Sequence, residues 1–167
     1  MHKKLFFLIL LTVCTLQCNP YTKPLKYYSG PDLPESEIFY LVKPKGIAVM
    51  SLNGTMGKKS WRGGHNALVY SDFQAILELK PGEHMLLMAL YMEVYNPSSK
   101  TKITITSRGN KGWKFTGQAG HIYLIAPDPY EMTDDNWQPY IKDITGSHFV
   151  QKEIIPTIRK YKSESKK

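Results

Sequence analysis

A chain of 167 residues with 42% hydrophobic and 22% charged residues has the composition of one globular domain, which sets aside disordered, collagen-like and coiled-coil classes. Of the formal charge of +8, Lys3 and Lys4 carry two, and residues 151–167, with six Lys or Arg against two Glu, carry four more, leaving +2 elsewhere. A domain so nearly neutral lacks the basic patch of a nucleic-acid binder, and no nucleic-acid partner is expected.

The first feature in chain order is the apolar run at residues 5–13, which follows Lys3 and Lys4. It is shorter than the ~20 residues a membrane span requires. It reads as an export signal, to be removed from any account of the fold. Both cysteines of the chain, Cys14 and Cys18, close this segment, so a disulfide framework is excluded. The stretch Thr15-Leu16-Gln17-Cys18 resembles the relaxed lipobox of bacterial lipoproteins, closer to spirochaete-type examples than to the strict form. The resemblance implies a diacylglyceryl group on the Cys thiol, removal of the signal before that Cys and acylation of the new amine. Only a thiol forms the thioether, and two or three acyl chains make the attachment stable. Cys18 is the expected lipidated residue, with Cys14 as the other candidate. The partner so implied is a membrane, reached through an N-terminal lipid anchor. By the same resemblance, Asn19 in place of Asp favours the outer membrane of a bacterial cell envelope, with the domain facing the periplasm or the surface.

Four prolines between residues 19 and 35 (Pro20, Pro24, Pro31, Pro34) predict an extended tether. The expected organisation is a signal at 1–17, the lipidated Cys and tether at 18–36, a β domain at 37–150 and a basic mobile tail at 151–167. Within the domain, strands are expected at 37–42 and 46–52, the second ended by Asn53-Gly54, a pair that tolerates positive φ. A polar loop follows to about residue 72. The next strand is 74–79, with Ala75, Leu77 and Leu79 on one face. Lys80-Pro81-Gly82-Glu83 fits a type II turn. Residues 84–95 mix helix formers with strand formers, and the turn before them decides for a strand. Alternation predicts strands at 101–106 and around Trp113 and Phe115. Further strands are expected at 121–126, 140–144 and 148–150. Seven to nine short strands at this spacing describe an all-β protein, an antiparallel β-sandwich or partly open barrel.

The turn residues add a second resemblance. Tyr28-x-Gly30-Pro31-x-x-Pro34-x-x-Glu37-Ile38, Leu79-x-Pro81-Gly82-x-His84, Ala119-Gly120-His121-x-Tyr123 and Trp137-x-Pro139-x-Ile141-x-Asp143 resemble, in order and spacing, uncharacterised bacterial lipoproteins with a PEGA-like β-sandwich. The resemblance spans residues 28–145 and implies a sandwich displayed on a membrane anchor. It carries no catalytic residues with it.

Few side chains suggest chemistry. The histidines His65, His84, His121 and His148 lack the spacing of a metal-binding hairpin or helix, and His84 and His121 read as imidazoles bonding backbone at strand entrances. Glu131, Asp134 and Asp135 lack the spacing of a calcium loop. Ser99-x-x-Lys102 stands without the companion motifs of a Ser-Lys enzyme. Trp61 and Arg62 in the polar loop, with Tyr130 and Trp137 in the acidic loop, are candidate ligand-binding residues, since aromatics beside charges stack on sugars and bond their hydroxyls. Against this, Trp137-x-Pro139-x-Ile141 reads as a plug packing its loop onto the domain. The expectation is therefore a lipid-anchored, non-enzymatic envelope protein, without cofactor or metal, acting as a structural or interaction module with an envelope protein or glycan as partner. The alternative is a glycan- or peptidoglycan-binding module using Trp61, Arg62, Tyr130 and Trp137. A third reading, an envelope hydrolase near Asp134, Asp135 and His121, is the weakest.

Overall fold

The computed structural model describes residues 24–56, 74–96, 100–106, 109–127 and 137–164. Among them are ten strands: β1 (Leu25–Lys26), β2 (Phe39–Lys43), β3 (Ile47–Leu52), β4 (Thr55–Met56), β5 (Ala75–Leu79), β6 (Gly82–Asn96), β7 (Thr101–Thr106), β8 (Lys111–Gly117), β9 (Ile122–Pro127) and β10 (Pro139–Asp143). A helix closes the chain, entering through a wide π-turn at Val150–Ile154 and continuing as α1 (Ile155–Glu164). The protein is predominantly β, in two sheets. The first is ordered β1-β5-β2-β9-β10; in the second β4-β3-β6-β7 are neighbours and β8 also pairs with β6.

The local chemistry behaves as the sequence predicts in several places. Asn53 and Gly54 both take positive φ, 51° and 79°, and Leu52 pairs with Thr55 across them. This is the backbone a two-residue hairpin loop demands. Residues 84–95 lie within β6, a strand. In β8, Lys111, Trp113 and Phe115 are half-buried while Gly112, Lys114 and Thr116 are exposed.

One apolar cluster is shared by the two sheets. The first contributes Phe39, Leu41, Leu77, Leu79, Tyr123 and Ile125, and the second Ile47, Val49, Leu52, Leu86, Met88 and Leu90. Parity explains which residues enter, since alternate side chains of a strand share a face. Leu52 breaks the odd-numbered parity of Ile47 and Val49 because the register shifts between Val49 and Ser51, and one extra residue turns the rest of the strand over. Gly117 sits so close beneath this cluster that a β-carbon there would overlap the Phe39 ring.

The structure corrects four expectations. The first sheet is mixed, because β1 runs parallel to β5 and β2 parallel to β9. Alternation within a strand reports its faces and carries no information about the direction of its neighbour. Second, residues 148–150 belong to the helical segment, where a strand was expected. Third, residues 151–164 pack on the domain, where a mobile tail was expected. Val150, Ile154 and Ile158, four residues apart, lie on one helical face and cover Ile38, Tyr40, Val42, Ile76 and Ile122 on the outer face of the first sheet. Pro156 explains the wide turn: it has no N–H and crowds the carbonyl four residues back, and Ile155 N donates instead to Val150 O. Fourth, from residue 24 onward the expected tether is part of the fold. Leu25 and Lys26 pair with Leu77 and Glu78, Tyr27 and Tyr28 pack against the two apolar clusters, and Glu35–Glu37 forms a 3-10 turn. No helix among the described residues is long and apolar enough to cross a membrane.

Candidate functional site

The outer face of the first sheet differs from the inner one by bearing polar groups. On β2 and β5, Tyr40 lies opposite Glu78, and both are buried. Tyr28 OH donates to Glu78 Oε2 at 3.3 Å, and Leu33 N donates to Tyr28 OH at 3.3 Å. From the end of α1, Lys162 Nζ reaches within 3.7 Å of Glu78 Oε1 and 3.8 Å of Glu35 Oε1, and lies 5.5 Å from the centre of the Tyr40 ring. The Tyr40 hydroxyl has no hydrogen-bond partner among the described residues. Burial pushes its pKa far up, and the Glu78 and Glu35 carboxylates add to the rise. Tyr28 is also raised, by burial first, with the bond from Leu33 N opposing it.

Beside this cluster, a cleft of about 140 Å³ opens between the sheet and the helix. Ile122, Ile155 and Ile158 supply apolar walls, Tyr40 one side, and Glu35 and Arg159 charges of opposite sign. The connector from β10 into the helix forms its remaining edge. Thr145 Oγ1 accepts from Ile122 N at 2.8 Å, and Ser147 Oγ accepts from Val150 N at 3.3 Å, as a helix-capping serine does. At ~30 Å³ of liquid volume per water, a cleft of this size holds a few waters or one small side chain of a partner.

Behind the connector, His121 Nδ1 donates to Asp143 Oδ2 at 2.6 Å, and Thr145 N donates to Asp143 Oδ1 at 2.9 Å. Burial alone would raise the Asp143 carboxyl, but the bonds from Thr145 and His121 together hold it below the usual carboxylate range. His121 stacks on Tyr123, whose ring belongs to the inner core. The pair therefore lies on the far side of β9 from the cleft. His84 is fixed separately. Asn53 Oδ1 accepts from Met85 N, which aims Asn53 Nδ2 as a donor at His84 Nδ1, leaving Nε2–H to donate to Lys80 O at 2.8 Å. This is the strand-entrance role the sequence suggests for it.

Of the residues singled out from sequence, Cys18, Cys14, Trp61, Arg62 and Tyr130 lie outside the described residues, as do His65, Ser99, Glu131, Asp134 and Asp135. Trp137 is 0% exposed and sits in the inner core, with Ile141 packed against that cluster. Its ring cannot stack on a sugar without opening the core. No group of three His, Cys, Asp or Glu able to hold a metal ion occurs among the described residues. The cleft residues were missed because their partners come from residues 151–164, which the charge count hid. The spacing Val150, Ile154, Ile158 was the available signal.

No family model, no curated protein and no solved structure matches this chain.

Proposed function

We propose that this chain is a lipid-anchored, non-enzymatic protein of the bacterial cell envelope whose β domain is an interaction module. The observation that carries the reading is Cys18, placed at the end of an export-type apolar run and only a few residues before the first strand, β1 (Leu25–Lys26). The finer fold assignment goes with it: a sandwich, supported by the apolar cluster that both sheets share, with the helix as a third layer. Likeness to PEGA-type lipoproteins rests on the turn residues quoted above. The cleft beside Tyr40, with apolar walls and charges of opposite sign, suits a side chain of a protein partner better than a large substrate. The burial of Trp137 favours this module over the glycan-binding alternative, which needs that ring exposed.

The test is acyl labelling and intact-mass measurement on membranes from cells expressing wild type, Cys18→Ser and Cys14→Ser, with protease shaving of whole cells. The expected result is acylation lost in Cys18→Ser alone, and shaving reports which side the domain faces. A mature protein that carries no acyl mass and is released by mild lysis overturns the proposal.

A further inference from the structure

The helix that covers the first sheet has an outward face of a different kind. Val150, Ile154 and Ile158 are buried against the sheet, while Pro156, Arg159, Lys160 and Ser163 are exposed. Steps of three and four residues within α1 join these four into one stripe, and Lys152 is exposed one turn earlier. Lys152, Arg159 and Lys160 are cations, and none of them is held in an ion pair among the described residues. Lys162 differs, since it is half-buried and shared between Glu35 and Glu78. The acids of the segment leave the stripe positive: Glu153 is half-buried, and Glu164, exposed, is the last residue of α1. Where the helical segment begins, Phe149 is 38% exposed, an aromatic ring of the kind that seats at a headgroup boundary.

The end of the helix lies where the chain enters the domain. Lys26 of β1 lies opposite Glu78, and Glu78 Oε1 is the oxygen that Lys162 approaches at 3.7 Å, so the first strand and the last helical turn meet at one residue. Six peptide steps separate Cys18 from Pro24, the first described residue, and a fully extended chain covers ~21 Å in that distance. A membrane that holds Cys18 is therefore within reach of the helix. Cations near an anionic headgroup layer are attracted to it, and the attraction adds over several of them. The outer face of the second sheet has less to offer: Met85 and Tyr91 are exposed there, and Lys114 is paired with Glu83 at 2.7 Å.

We infer that the outward face of the C-terminal helical segment, with Lys152, Arg159 and Lys160, rests on anionic phospholipid headgroups of the membrane that holds Cys18. The inference rests on the lipid-anchor reading and adds an orientation to it. Gln151, Ile155 and Ile158 line the cleft on the flank of the helix, so the cleft opens along the membrane surface, and a partner that enters it does so there.

The experiment places a benzophenone amino acid at Ser163, on the outward stripe, and separately at Thr116, an exposed residue on the outer face of the second sheet, in the full chain. Protein purified from membranes is reconstituted into vesicles of phosphatidylcholine with or without phosphatidylglycerol and irradiated, and adducts and acyl mass are read on the same sample. With phosphatidylglycerol, a roughly ten-fold excess of phospholipid adduct is expected at position 163 over position 116, and it should vanish in phosphatidylcholine alone. The excess should also vanish in the triple variant Lys152→Gln, Arg159→Gln, Lys160→Gln, which changes only exposed side chains and whose unchanged thermal unfolding shows that it is folded. Acylated protein with equal, reversed or no adducts, an excess indifferent to phosphatidylglycerol or to the triple variant, or adducts to protein in place of phospholipid overturns the orientation while leaving the anchor standing. Protein without acyl mass overturns the anchor, and the orientation with it.

Discussion

The two faces of the five-stranded sheet are built from the same strands and meet different demands. Phe39, Leu41, Leu77, Tyr123 and Ile125 point into a space closed by the second sheet. Ile38, Tyr40, Val42, Ile76, Glu78 and Ile122 point the other way, toward one short helix. The second sheet covers more of the inner face, which is mainly apolar; its polar groups include the Lys43 ammonium, which donates to Ile47 O at 2.6 Å, the Tyr123 hydroxyl, which accepts from Gln118 N, and the His121–Asp143 pair at one end. The single helical segment at 148–164 covers only a band of the outer face. At the edges of that band Tyr40 and Glu78 are buried while Tyr28 and Lys162 are half-buried, and the cleft opens there. The lesson is that the polar cluster and the cleft exist because the cover is incomplete.

The sharpest break of this comparison is Trp137→Ala. A large ring removed from the inner core leaves a cavity that cannot close, and the expected loss is about 3–5 kcal/mol in denaturant unfolding. A loss below about 1 kcal/mol would mean the ring is not part of the core and would return it to the ligand-binding candidates. On the outer face, Ile158→Ala is expected to cost about 2–3 kcal/mol, less than Trp137→Ala because the helix can settle onto the sheet. If the two costs prove equal, the helix is as much core as the second sheet.

The smallest effect at neutral pH is expected for Tyr40→Phe. The buried hydroxyl has no partner among the described residues, so its removal relieves an uncompensated desolvation and should raise stability by about 1 kcal/mol. The informative reading is at alkaline pH. Burial and the neighbouring carboxylates raise the Tyr40 pKa above its usual 10.0, so above pH 10 the unfolded chain loses this proton while the folded protein keeps it. Stability contributed by the neutral phenol is complete below the unfolded pKa and falls as pH rises above it, by about 1.4 kcal/mol per pH unit for one proton. Tyr40→Phe should flatten that fall in urea unfolding followed from pH 9 to 11. An unchanged slope would assign the alkaline loss to Tyr27 and Tyr28, both also raised by burial.

Much of the local structure was legible in the sequence because it depends on neighbours a few residues away. Asn53-Gly54 makes its turn wherever it stands, and Ile103 and Ile105 alternate with Lys102, Thr104 and Thr106 in a strand whatever the strand pairs with. The run Ile38-Phe39-Tyr40-Leu41-Val42 was a sign, not taken up, that this strand is covered on both faces, since such strands read as unbroken apolar runs. The candidate site was almost wholly illegible. Its parts come from residue 35, residue 40, residue 122 and residues 145–159, and nothing local announces that they meet.

The sequence by itself determined the β class, the position of most strands and the Asn53-Gly54 turn. Hydrogen-bonded turns and alternating faces are short-range physics, and the local order of residues is enough to set them. Tertiary structure alone decided that β2 and β9 run parallel, that β1 ties residues 25 and 26 into the sheet, and that a basic segment buries Ile154 and Ile158 as a third layer. These outcomes depend on which apolar surfaces are left uncovered once the strands have paired. That is a property of the assembled sheet and is encoded at no single place along the chain.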